Sequence, residues 1–180
     1  MENKLLIGVL GNSHSGKTTT WNTLFKHTVR TGKHERILKI RDVDIPVFLI
    51  NGAPLERRSD LKYILPKYDP DIVLCSFLYH KNVQANFDFF IKKGYQIYLQ
   101  WLNPGFSDSH DKSLFYNIGI INYLMQNHAL VSVCNAKVEA ENRVSNIRDF
   151  LLGWFLTHKV QFCSDEEAIN LSEINNLEST

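Results

Sequence analysis

The sequence predicts a three-layer α/β domain built on a sheet of about six strands, mostly parallel, with an antiparallel hairpin at one edge. Three observations carry that expectation. Short apolar runs alternate with segments of helical period along most of the 180 residues. The runs Arg36 to Arg41 and Ile45 to Ile50 are separated only by Asp42-Val43-Asp44, which is hairpin spacing. Leu5 to Leu10 is an apolar run that breaks at Gly11, passes through a polar loop and re-enters order at Gly16, in the manner of a strand, a tight loop and a helix.

Composition narrows the function classes. Residues 1–163 hold the patterned part of the chain, and 164–180 reads as an acidic, flexible tail with five carboxylates and no basic residue. A net charge of +1 points to neither a nucleic-acid binder nor a membrane-surface protein. No apolar run is long enough for a membrane span, and Met1-Glu2-Asn3-Lys4 leads into the first strand without a signal-peptide pattern. The three cysteines are scattered; Cys75 and Cys134 fall in strand-like runs, where small buried hydrophobes are expected. A reducing, cytoplasmic setting fits these features. Zinc-finger, H-E-x-x-H and G-x-S-x-G patterns are absent.

In chain order, the helix after the first loop carries Trp21, Leu24 and Phe25 on one face and fades near Val29. The basic stretch Lys26 to His34 reads either as a solvated loop or as a segment that covers a ligand. After the hairpin, Asn51-Gly52-Ala53-Pro54 is a turn by composition, followed by the charged Leu55-Glu56-Arg57-Arg58. A short helix with Leu61, Ile64 and Leu65 ends at Pro66, and Ile72 to Phe77 is the next strand. Asn82 reads as the cap of a helix with Val83, Phe87, Phe90 and Ile91, closed by Gly94. Tyr95 to Trp101 is a strand; the loop Phe106 to Lys112 leads to a helix with Leu114, Ile118, Ile121 and Met125. Ala129 to Cys134 is the last strand, and a long helix with Val144, Ile147, Leu151, Trp154, Phe155 and His158 closes the domain.

The first loop carries the chemistry. Gly11-Asn12-Ser13-His14-Ser15-Gly16-Lys17-Thr18 fits G-x-x-x-x-G-K-[ST] between a strand and a helix, the phosphate-binding pattern. Gly11 and Gly16 let the backbone turn so that successive N–H groups point inward at a phosphate chain. The helix start adds its positive end to the same place. Lys17 reaches the outer phosphates as a point charge, and the Thr18 hydroxyl suits the Mg2+ that accompanies ATP or GTP. Thr19 completes the expected contact set at the helix start. Thr31 or Thr28, in the basic stretch, offers a second oxygen on the magnesium side.

This order of elements resembles the Ras-like small GTPase domain, a P-loop NTPase fold, over residues 4 to 160. Asn51-Gly52-Ala53-Pro54 falls where that family carries D-x-x-G, with Asn for the Asp and Pro for the Gly. Leu55 takes the place of the glutamine that orients the attacking water. Leu102-Asn103-Pro104-Gly105 falls where the family has N-K-x-D, with only the Asn present, and Asn135-Ala136-Lys137 where it has S-A-K. The resemblance thus implies nucleotide contacts at Asn51, Asn103, Asn135, Ala136 and Lys137. Gly105 stands where the guanine-gripping Asp would be, which leaves ATP and GTP both open; Asp108 or Asp111 is a candidate substitute. Arg57 and Arg58 follow the turn, where an arginine neutralises transition-state charge. No Asp or Glu lies at the carboxyl end of the strands ending at Ile50, Phe77 or Trp101, so an anionic magnesium shell is not visible there.

Three functions follow. One is a slow GTPase or ATPase acting as a nucleotide-dependent switch, with a protein partner or through self-association. Another is a phosphotransferase to a small molecule, which the early hairpin disfavours. The third is a non-catalytic nucleotide-binding subunit, which Leu55 and the missing carboxylate favour.

Overall fold

The computed structural model describes residues 4–104 and 119–177, with side chains as far as His158. The elements run β1 (Lys4–Gly11), α1 (Lys17–Phe25), β2 (Arg36–Ile40), β3 (Val43–Ile50), α2 (Pro54–Arg57), α3 (Leu61–Ile64), β4 (Ile72–Leu78), α4 (Gln84–Lys92), β5 (Tyr95–Leu102), α5 (Ile120–Gln126), β6 (Leu130–Cys134) and α6 (Ala140–Leu177). The described strands form one six-stranded sheet in the order β2-β3-β4-β1-β5-β6. β2 and β3 pair antiparallel at one edge, and the other pairs are parallel. The α/β class, the mostly parallel sheet and the edge hairpin are as the sequence predicts.

β1 lies between β4 and β5, and all of its residues are buried, which is why it reads as a continuous apolar run rather than an alternating one. Its alternate side chains feed two cores. Leu5, Ile7 and Val9 pack with Trp21 and Leu24 of α1 and with Val144, Ile147 and Leu151 of α6. Leu6 and Leu10 pack with Phe87 and Phe90 of α4 and Ile120 and Leu124 of α5. Helices on both faces make the three layers. Cys75 and Cys134 are buried and free.

Several local readings change. The hairpin turn is Arg41-Asp42, with Ile40 opposite Val43, so β3 begins earlier than expected; Pro46 precedes the part of β3 that pairs with β4. α1 stops at Phe25 because Lys26 turns left-handed, its N–H bonded to Thr23 O. Val29 therefore leaves the helix and enters the core, its N–H held by Asn22 Oδ1 at 3.0 Å. Asn82 is not a helix cap: its N–H bonds to His80 Nδ1 inside a turn, and α4 begins at Gln84. α3 is capped by Asp60 and stops before Pro66, which disfavours helical backbone at Leu65. α2 was not anticipated; Pro54 at its first position pre-sets the helical φ.

α6 continues through the acidic stretch from Ser164 to Leu177. The expected loop Phe106 to Lys112, with Gly105, Asp108, Asp111, Leu114 and Ile118, lies outside the described residues. Among the described residues no helix is long and apolar enough to cross a membrane.

Candidate functional site

Parallel strands bring their carboxyl ends to one edge of the sheet, where loops meet. The segment after β1 closes on itself: Ser15 N–H bonds to Asn12 O at 3.2 Å. At Gly11 a Cβ would lie 2.3 Å from Ser15 Oγ and 3.0 Å from Ser15 Cβ, so any side chain there displaces Ser15. Gly16 caps α1 with φ at 95°, a left-handed conformation that a side chain would strain. The opening beside this loop has a volume of about 680 Å³ and is lined by Ser13 to Thr19 and by Glu56.

Lys17 is buried inside the loop. Its Nζ donates to Asn12 O at 2.6 Å and Gly11 O at 3.1 Å, and lies 3.4 Å from Glu56 Oε1. Burial pushes its pKa down, and the Glu56 carboxylate opposes that shift. The same Glu56 oxygen accepts the Ser13 hydroxyl at 3.0 Å. The cleft therefore contains a carboxylate that the sequence reading did not place there. It comes from α2, not from a strand end. Neighbouring residues on a helical turn point about 100° apart, so Glu56 reaches the loop while Arg57 turns back.

Asn51, at the end of β3, is the second centre. Its Oδ1 accepts Thr18 Oγ1–H at 3.3 Å, its Nδ2 donates to Val29 O at 2.7 Å, and its carbonyl accepts from Thr31 Oγ1 at 2.7 Å and Arg57 Nη2 at 2.5 Å. Thr18, Thr31 and Arg57 are thus gathered around one residue. Arg57 lies across Gly52, whose φ is 104°, and points its guanidinium at the Asn51 carbonyl. Arg58 is exposed in a left-handed turn, and Thr28 is exposed. Leu55 is half-buried against the second core.

The ends of β5 and β6 meet beside the loop, next to Gly16. Asn103 N–H bonds to Cys134 O at 3.0 Å, and Asn103 Oδ1 accepts Ala136 N–H at 2.7 Å. Asn135 Oδ1 takes Lys137 N–H at 2.9 Å. The Ala136 methyl reaches to 3.4 Å from the point where Gly16 would carry a Cβ, so this turn abuts the loop. His14 stands in the loop with φ at 61°; His80 belongs to the turn before α4, and His158 stacks on Trp154. Arg143, in the first turns of α6, is buried behind Gly16; its only sequence signal is its place on a helix of otherwise apolar inward positions.

No protein-family model and no curated protein matches this chain. Its chemistry rests on the site alone.

The donors can be tested against a metal. The Thr18 and Thr31 hydroxyls each spend their proton on Asn51 and keep lone pairs, and Glu56 supplies one carboxylate nearby. Among the described residues no group of three His, Cys, Asp or Glu side chains forms a cage. Hard oxygens without a complete protein cage suit magnesium that arrives with phosphate oxygens and water. They do not suit a structural zinc.

Proposed function

We propose that the chain is a P-loop protein of the Ras-like kind that binds the magnesium complex of a nucleoside triphosphate, ATP or GTP, and turns it over slowly as a nucleotide-dependent switch in the cytoplasm. The observation that carries this reading is the Gly11–Thr18 loop: a left-handed Gly16 at a helix start, with a buried lysine folded over the loop's own carbonyls. Among the described residues this buried ammonium is held by two carbonyls and a partly exposed carboxylate, and it gains when a dense anion replaces them. The loop N–H groups and the start of α1 would bind and orient the phosphates, Lys17 would hold their charge, and the Thr18 and Thr31 hydroxyls would hold the magnesium. When bound, the metal neutralises phosphate charge.

Slow turnover follows from two placements. Leu55 is an apolar side chain half-buried against the second core and orients no water, and Arg57 is committed to the Asn51 carbonyl. Phosphoryl transfer depends on positioning and on charge stabilisation, and an arginine supplied by another molecule raises the rate by roughly a thousandfold or more. A protein partner or a second copy of the chain would supply it here. The packing of Leu55 also favours a second reading, a subunit that binds nucleotide without hydrolysing it.

The test identifies any nucleotide that co-purifies and then measures phosphate release at saturating magnesium ATP and GTP. Release below about one per minute is expected from a site lacking these groups. Bound nucleotide with no release at all selects the non-catalytic reading; release of one per second or faster excludes the switch. Absence of binding for both nucleotides rejects the proposal.

A further inference from the structure

Arg143 is 4% exposed and lies directly behind the Gly11–Thr18 loop. Its Nε donates to Thr20 Oγ1 at 2.9 Å, and Thr20 Oγ1 in turn donates to Gly16 O at 3.1 Å. Nη1 reaches Val138 O at 3.4 Å, and Nη2 lies 3.4 Å from the point where Gly16 would carry a Cβ. All of these neighbours are neutral. Among the described residues no carboxylate pairs with the guanidinium. The backbone beneath it is fixed too, because the buried Gln100 donates from β5 to Arg143 O at 2.7 Å.

A guanidinium out of water and without an anion is costly, and proteins keep such charges paired or bound to a ligand. Burial pushes its pKa down from the ordinary guanidinium value, yet a guanidinium stays charged. Among the described residues, the opening nearest the guanidinium is the one lined by Gly16, against which Nη2 packs.

We propose that Arg143 is the buried counter-charge of this loop and makes it select polyphosphates by their charge. This rests on the phosphate-binding reading of the loop. Arg143 does not touch the ligand; it is a positioning residue whose field acts through low-dielectric protein. Because the interaction grows with ligand charge, it favours a triphosphate over shorter anions. A merely structural role would weaken all anions alike.

The experiment is calorimetric titration of the full chain with inorganic tripolyphosphate and with pyrophosphate, for the unmutated protein, Arg143→Gln and Arg143→Lys. Melting curves verify folding. Gln keeps a donor for Thr20 but removes the charge; Lys keeps the charge but loses the fork. Arg143→Gln should weaken tripolyphosphate about tenfold and pyrophosphate about fivefold, while Arg143→Lys stays within about threefold on both. Unchanged affinity in Arg143→Gln, or equal losses on the two anions, overturns the proposal. If Arg143→Gln does not fold, folded Arg143→Lys decides: a tripolyphosphate loss of about tenfold or more overturns it, and retention supports it. An unmutated chain that binds neither anion rejects the phosphate-binding reading itself, and this role with it.

Discussion

The loop Gly11–Thr18 and the segment Asn51–Arg58 face each other across one cleft, yet they are built in opposite ways. The loop is shaped locally: a Cβ at Gly11 would displace Ser15, Gly16 is left-handed, and Asn12 and Ser15 close the turn between them. The segment is shaped from a distance. Asn51 is bonded to Thr18, Val29 and Thr31, all remote in sequence, and Glu56 is held by Ser13 and Lys17. Locally shaped backbone is rigid before a ligand arrives, whereas a segment held by side-chain bonds rearranges when those bonds are replaced. Under the proposed reading, the first suits binding and the second suits sensing what is bound.

Substitutions should separate the two regions. The largest effect belongs to Gly16→Val, which forces a β-branched residue into a left-handed conformation against Ala136 and Arg143. It should cost about 2 kcal/mol of stability or more and abolish anion binding, as read by chemical denaturation and calorimetry. Asn51→Ala removes the side-chain bonds to Thr18 and Val29 and leaves Val29 O without its donor. A loss of about 1–3 kcal/mol is expected, with anion binding by the loop largely retained. Equal damage to binding and stability would show that the loop depends on the segment after all.

Smaller effects test the charges. Glu56 competes with an incoming anion for Lys17 and is partly exposed, so solvent screens it. Glu56→Gln should tighten metal-free tripolyphosphate by about threefold in the presence of a chelator, and the gain should shrink at high salt. Leu55→Gln, although it restores the residue type of the family resembled, should lower the melting temperature slightly without raising phosphate release, because the side chain lies half-buried against the second core.

The smallest effect is one of pH. The folded-state pKa of Lys17 lies below its ordinary value of 10.5, chiefly through burial, so between those two values the unfolded chain binds more protons and stability rises with pH. Anion affinity falls across the same window as the ammonium is lost. Lys17→Met should flatten the stability slope relative to the unmutated chain in matched denaturation series.

The same contrast explains how much was legible in the sequence. Glycine spacing, the flanking apolar run and hairpin spacing are local signals, and they predict the loop, the sheet class and the antiparallel edge. Strand order is set by which faces find partners, so the position of β4 between β3 and β1 has no local signature. Asn82 and Lys26 show the limit at helix ends: the choice there lies with His80 Nδ1 and with a left-handed turn. Glu56 stands beside the position of the water-orienting residue in the sequence, but its direction is not legible there, because it depends on a single helical turn aiming it at a loop far back in the chain. Arg143 is not legible either, because an arginine on a helix ordinarily faces water, and only its burial marks it.

The most direct measurement is calorimetric titration of the unmutated chain, Lys17→Ala and Thr18→Ala with ATP and GTP in the presence of magnesium. Lys17→Ala should lose about 2–4 kcal/mol of binding, roughly a hundredfold, because the ammonium is the charged centre of the loop. Thr18→Ala should lose affinity only when magnesium is present, and both variants should melt close to the unmutated chain. Affinity that is unchanged in both variants would contradict nucleotide binding at this loop.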